Sequence, residues 1–249
     1  MRDYDAAGAK CRPFGLSGLA LKLLALCSMT VDHVGAVLVL PRWGFAASLP
    51  LRYAGRLAFP IYCFLLVEGF SHTRSVPRYG LRLLGFALLT EPVYDRVLYG
   101  AWLVPQHQNI LFTLALGLAA MAALRAAARR ALALRAGQAA RVLLCGALCL
   151  PLAAAACVLA QLLGVSYGWQ GMVTILVYFA LRRWPLVAAG AGAAAQFLGG
   201  NFIQYRAALA AVPIALYNGE KGRCRLPGWA FYLYYPAHLA LLGLIARAF

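Results

Sequence analysis

Acidic residues are scarce in this chain. It carries 7 Asp and Glu against 23 Lys and Arg in 249 residues, a formal net charge of +16. All charged residues together make up 12% of the chain, about half the soluble-protein average. That excludes a soluble domain, which needs a charged shell. Also missing are a Walker A loop, a dinucleotide fingerprint and an H-E-x-x-H pattern. The 7 cysteines show no disulfide framework and no metal-ligand spacing, and Cys27, Cys63, Cys145, Cys149 and Cys157 fall inside apolar runs. Basic patches interleaved with aromatics, the signature of single-stranded nucleic-acid binding, are absent too. No internal repeat of the inverted-transporter kind is visible.

What the chain has in excess is apolar surface: 63% of its residues are hydrophobic and the mean hydropathy is +0.74. This predicts an all-α polytopic transmembrane bundle in contact with the lipid bilayer, with a cytoplasmic tail at 1–18 and one domain at 19–249. About nine spans are expected, at 19–40, 51–70, 81–99, 109–124, 139–163, 169–181, 185–199, 206–217 and 229–247. Spans six to eight fall short of the roughly 20 helical residues that a hydrocarbon core requires. The first run is read as a retained span, because a signal peptide has a shorter apolar region and this run holds Lys22, Asp32 and His33.

The positive charge has a topological reading. Arginines and lysines concentrate in alternate connections: Arg2, Lys10 and Arg12; Arg74 and Arg78; Arg125 to Arg141; Arg182 and Arg183; and Lys221 to Arg225. The intervening connections are poor in them. The positive-inside rule then predicts a cytoplasmic N-terminus, an outside C-terminus and a home in the cell's inner, cytoplasmic membrane.

Against that background the ionisable residues inside spans stand out. LKLLALCSMTVDHVGAVLVL holds Asp32 and His33 side by side. A charge near the bilayer centre costs from roughly 3 to above 10 kcal/mol, so such residues are functional candidates by default. At about 1.5 Å of rise per residue, His33, Arg56 and Asp95 reach a common level, roughly 21 Å from the cytoplasmic end of their spans. Glu91 lies one turn below Asp95 on the same face. Asp32 and His33 point about 100° apart on a helix, so they are not expected to pair. Arg56 is expected to pair with one carboxylate, while Glu91 or Asp95 orients His33. The bland alternative is that these charges only neutralise one another and join helices. Gln108, Asn109, Tyr167 and Gln170 enter near the outer ends of spans, with Tyr235 and His238 lower, in the last span; all six are candidates for binding an acceptor.

A second cluster falls on the cytoplasmic side. Glu68 and His72 are i,i+4 at the foot of span two, followed by Arg74 and Arg78, and the turn after span eight brings Asn218, Lys221 and Arg223. Basic groups there suit the phosphates of a nucleotide-bearing cofactor, although ordinary topology charge accounts for any one of them. No metal site is expected.

Several runs carry a resemblance. LKLLALCSMTVDHVGAV, GRLAFPIYCFLLVEGFSHTR, QNILFTLALGL, SYGWQG, LYNGEKG and FYLYYPAHLALL are similar to blocks of the TraX family of membrane proteins. The family is named for the protein that acetylates the N-terminus of conjugative pilin, and its architecture resembles that of the broader transmembrane acyltransferases. The resemblance implies transfer of an acetyl group from cytoplasmic acetyl-CoA to an amine or hydroxyl acceptor on the far side, a pilin N-terminus, a glycan or a small molecule. It assigns His33 to the family's D-H motif. Ser166 stands where the family pattern implies an acidic residue. The chemistry fits: acyl transfer needs a general base and donors for the thioester oxyanion, for which Arg56, Gln108 and Asn109 are candidates, while Asp32 or Asp95 would set the tautomer of His33. Two other classes compete. A proton-coupled transporter would use the same buried Asp, Glu and His residues as a relay. A scaffold for pilus or envelope assembly would tolerate loss of His33.

Overall fold

The computed structural model describes residues 14–199, 201–224 and 226–248. The tail residues Arg2, Lys10, Cys11 and Arg12, and the loop residue Arg225, lie outside the described residues. Within them the chain is all helical, with two isolated bridges and no strand. The order is α1 (Gly18–Val34), a π-helical turn (Gly35–Val39), α2 (Leu40–Gly55), α3 (Ala58–His72), α4 (Val76–Leu98), α5 (Ile110–Leu132), α6 (Gln138–Leu162), α7 (Gly168–Leu181) and α8 (Pro185–Ala195). A 3-10 turn (Gln204–Ala210), α9 (Ala211–Ala215) and α10 (Ala230–Ala248) follow.

Most boundaries have local causes. Ser17 caps α1 by accepting from the Ala20 amide, Ser75 caps α4 ahead of Pro77, and Asn109 caps α5 through Leu111. Each side chain satisfies an amide that a helix start leaves without a partner. The first two expected spans are drawn differently in the structure. Instead of two straight crossings joined by a loop, the helical path continues through the π turn, kinks at Gly44 (φ 81°) and folds back onto α1. The Ser28 hydroxyl fixes that return by donating to Ala54 O at 2.7 Å and Gly55 O at 3.0 Å.

Among the described residues three stretches are long and apolar enough to cross a membrane: Gly18–His72, Ile110–Leu132 and Gln138–Leu162. The protein is therefore a membrane protein; these stretches do not by themselves give the nine spans expected, since Gly18–His72 covers α1 to α3. α7 and α8, with 14 and 11 residues, reach only about 21 and 17 Å.

α3 is the centre of the bundle. From Ala58 to Val67 it is apolar on every side, as a largely enclosed helix must be, and it buries Phe59, Ile61, Phe64, Leu66, Val67 and Phe70; its polar residues Glu68, Ser71 and His72 gather at its last turn. α6 is the opposite case: of its 25 residues only Ala156 and Ala160 are buried, while Leu143, Leu150 and Leu162 stand exposed. Apolar surface on that scale has no place in water. Two loop pairings set up the rest. Gln108 N donates to Gly164 O and Ser166 N to Gln108 O, tying the α4–α5 loop to the turn before α7. At the other end, Gly18 N and Leu19 N donate to Glu220 O and Lys221 O, lacing the loop after α9 onto the start of α1.

Candidate active site

α1 carries Asp32 and His33 into the wall of a cavity of about 740 Å³. Both side chains are buried, and they face different partners. Asp32 takes two guanidinium groups. Arg56 Nη2 donates to both carboxylate oxygens, at 2.6 and 2.5 Å, and Arg52 Nη1 donates to Oδ2 at 2.9 Å. The carboxylate reaches them because Gly55 sits against it: a Cβ at Gly55 would overlap Asp32. Arg52 was missed by the pattern reading. It lies one turn before Arg56 on the same helix face, and that i,i+4 spacing was the available signal.

His33 does not take a carboxylate. Its Nδ1 lies 2.7 Å from Nε2 of His238, and the two rings are stacked with centroids 5.0 Å apart. His238 Nδ1 is in turn 2.8 Å from Tyr234 O, one turn back on α10. A carbonyl oxygen only accepts, so His238 Nδ1 carries the proton. In the neutral pair His238 Nε2 must then accept from His33 Nδ1–H, and His33 Nε2 is left with a free lone pair. Tyr235 flanks the pair, 5.9 Å from the His33 ring, and lines the same cavity. The height estimate set His238 and Tyr235 below His33; α10 instead packs beside α1 and brings them level.

The expected carboxylate partners of His33 are occupied elsewhere. Glu91 Oε2 accepts from Asn109 N at 3.0 Å and from Asn109 Nδ2 at 2.5 Å, a carboxylate at a helix start. Asp95 Oδ2 accepts from Val104 N at 2.7 Å, holding the loop after α4. Asn109 is buried in those bonds, Gln108 joins the loop pairing through its backbone, and neither lines the cavity. Their neighbours Gln106 and His107 do. Equal depth along straight helices does not give direction about the helix axis, so depth alone does not turn Glu91 or Asp95 toward His33.

Tyr167 and Gln170 line the cavity. Tyr167 has φ 64°, the one positive φ at a non-glycine position among the described residues. Its ring stacks on Phe59 with centroids 3.7 Å apart. Non-glycine residues held in this region cost about 1–3 kcal/mol and gather at functional sites. Ser166 donates from its hydroxyl to Gln108 O at 2.7 Å, so at this position it closes the turn. Gln170 begins a buried amide network: it donates to Gln196 O at 3.0 Å, Gln196 donates to Thr174 Oγ1 at 3.2 Å, and Gln204 donates to Gln196 Oε1 at 2.9 Å.

A smaller pocket of about 310 Å³ lies at the start of α1. Lys22, Lys221 and Arg223 line it, with no carboxylate in the wall among the described residues. Lys22 Nζ sits 4.5 Å from the Phe231 ring centroid. Gly222 (φ 78°) permits the close approach of the loop, since a Cβ there would meet Ser17 and Leu19. The structure thus divides the basic cluster read from sequence. Glu68 accepts from the Tyr217 hydroxyl at 3.2 Å, His72 Nδ1 lies 2.9 Å from Glu68 O, and Asn218 Oδ1 accepts from Glu220 N. His72, Arg74 and Arg78 are exposed and do not reach this pocket, whereas Lys22, read only as a charge in the first span, does.

A family model described as TraX protein matches residues 17–246. The chain belongs to the TraX family. The match runs from α1 to α10 and so takes in both pockets. Among characterised relatives is a probable fimbrial assembly protein FimC, serogroup H1, of Dichelobacter nodosus, 36% identical over 44% of this chain. The chain spans about half (47%) of that relative's length. No solved structure matches.

Proposed function

We propose that this TraX family member is an acetyl-CoA-dependent membrane acetyltransferase with His33 as the acyl-transfer base. The observation that carries the reading is the pairing of two pockets on one helix. His33, whose Nε2 has no hydrogen-bond partner among the described residues, lines the large cavity, and eleven residues earlier Lys22 lines a basic pocket with Lys221 and Arg223. That separation is roughly 16 Å of helix, a distance an extended pantetheine arm covers.

In this reading the three cations hold the phosphates of acetyl-CoA, as charge-assisted hydrogen bonds favour. The acetyl thioester reaches the large cavity. His33 Nε2 removes a proton from an amine or hydroxyl as that group attacks the thioester carbon. The C–S bond then breaks, and the departing thiolate takes the proton from His33. Arg56, held beside His33 by Asp32, supplies positive field for the oxyanion. With a cytoplasmic N-terminus the basic pocket faces the cytoplasm, and the acceptor enters from the other side of the inner membrane. The fimbrial name of the relative supports a pilin-type or surface-appendage acceptor.

The test is transfer of label from radioactive acetyl-CoA in membranes containing the protein. Wild type is expected to label an extracytoplasmic acceptor, and His33→Ala to lower the rate by about 10²- to 10⁴-fold, the usual worth of a positioned acid–base group. Equal labelling by the variant would leave His33 without the role assigned to it.

A further inference from the structure

The charges around Asp32 do not balance. The large cavity is lined by one carboxylate, Asp32, and two guanidinium groups, Arg52 and Arg56. Arg56 spends itself on both oxygens of Asp32. Arg52 uses only Nη1, on Asp32 Oδ2 and, weakly, on Asp32 O at 3.4 Å. Its Nε and Nη2 have no acceptor among the described residues, and a quarter of its side chain is exposed. The carboxylates that could have neutralised it, Glu91 and Asp95, hold α5 and the α4–α5 loop and do not line the cavity. Among the described residues one positive charge is thus left over in a cavity of this membrane protein, and a charge held away from water without a counter-charge is costly. Its unused N–H edge has the planar fork that matches a carboxylate or phosphate.

From this we infer that the acceptor carries an anionic group, docked on the free edge of Arg52, within a few bonds of the amine or hydroxyl to be acetylated. The inference rests on the acetyltransferase reading and adds the class of acceptor. Asp32 makes the geometry: it anchors Arg52 and is the sequence neighbour of His33, so an anion on Arg52 leaves the rest of a short molecule beside His33.

Two matched pairs of probes test it on the full chain in lipid nanodiscs, with binding measured by calorimetry. Ethanolamine and phosphoethanolamine differ by a phosphate; β-alaninamide and β-alanine differ by a carboxylate. At least one anionic member is expected to bind about tenfold or more tightly than its neutral partner, as charge-assisted bonds imply. The pair that shows the larger preference identifies the anion. Arg52→Gln should reduce the preference to about twofold or less, while Arg42→Gln, on the exposed side of α2, leaves it intact. Equal binding within both pairs, no binding by either anion, or a preference that survives Arg52→Gln would overturn the inference. Acetyl-CoA binding in the same samples reports folding and separates the two ideas. Acetyl-CoA binding without anion preference defeats this inference alone; anion preference without acetyl-CoA binding defeats the transferase reading and leaves the anion site standing.

Discussion

Asp32 and His33 divide the work of one sequence position pair between charge and lone pair. Asp32 balances Arg56 and anchors Arg52, and all three are largely buried. Asp32→Asn would leave both guanidinium groups without their counter-charge. Breaking a buried pair in this way costs about 3–5 kcal/mol, so the variant is expected to melt well below wild type in nanodiscs; an unchanged midpoint would show the pair to be energetically idle. Gly55→Ala is expected to destabilise by about 1–3 kcal/mol through overpacking against Asp32, measurable in the same assay. His33 depends on His238 for its tautomer. His238→Phe keeps the ring shape but cannot accept from His33 Nδ1. It is expected to lower kcat by about tenfold to a hundredfold, less than the loss of His33 itself, with KM for acetyl-CoA unchanged. A change in KM alone would make His238 a substrate contact. Asp32, His33 and Arg56, which line the large cavity, were legible as candidates because ionisable groups inside an apolar run have few reasons to exist. The His33–His238 contact was not, since it joins residues 205 apart through the packing of α10, which no local pattern encodes.

At the level of elements, the helices were legible and their paths were not. The ends of α4 to α10 follow caps, prolines and the edges of apolar runs. The return of α2 onto α1 depends on a π turn and on Gly44; a hydropathy reading puts a loop between spans at 19–40 and 51–70 and carries no sign that the chain stays helical there. The same return creates the site, because it brings Arg52 and Arg56 back to Asp32. The turn before α7 is the other structural commitment. Tyr167→Gly relieves the left-handed backbone at that position but removes the stack on Phe59, worth about 0.5–1.5 kcal/mol beyond its burial. The stack is expected to win, lowering activity with the acceptor while acetyl-CoA binding persists. Higher activity in the variant would mean that the strain had been a burden.

For the whole molecule, the apolar outer surface of α6 and the apolar, largely enclosed body of α3 gather polar chemistry among the described residues around the large cavity and the basic pocket. That concentration favours the proposed transferase over a relay, whose titratable groups would string across the bilayer at staggered depths. The two pockets share α1 as a common ruler, and the account stands on their joint use by one molecule. The most direct test is calorimetric binding of acetyl-CoA to the purified protein in nanodiscs, comparing wild type, Lys22→Ala/Lys221→Ala and His33→Ala. The account predicts binding by wild type and by His33→Ala, and binding weakened by about tenfold or more in the double variant, as loss of charge-assisted bonds requires. Absence of binding by folded wild-type protein, or full affinity in the double variant, would contradict it.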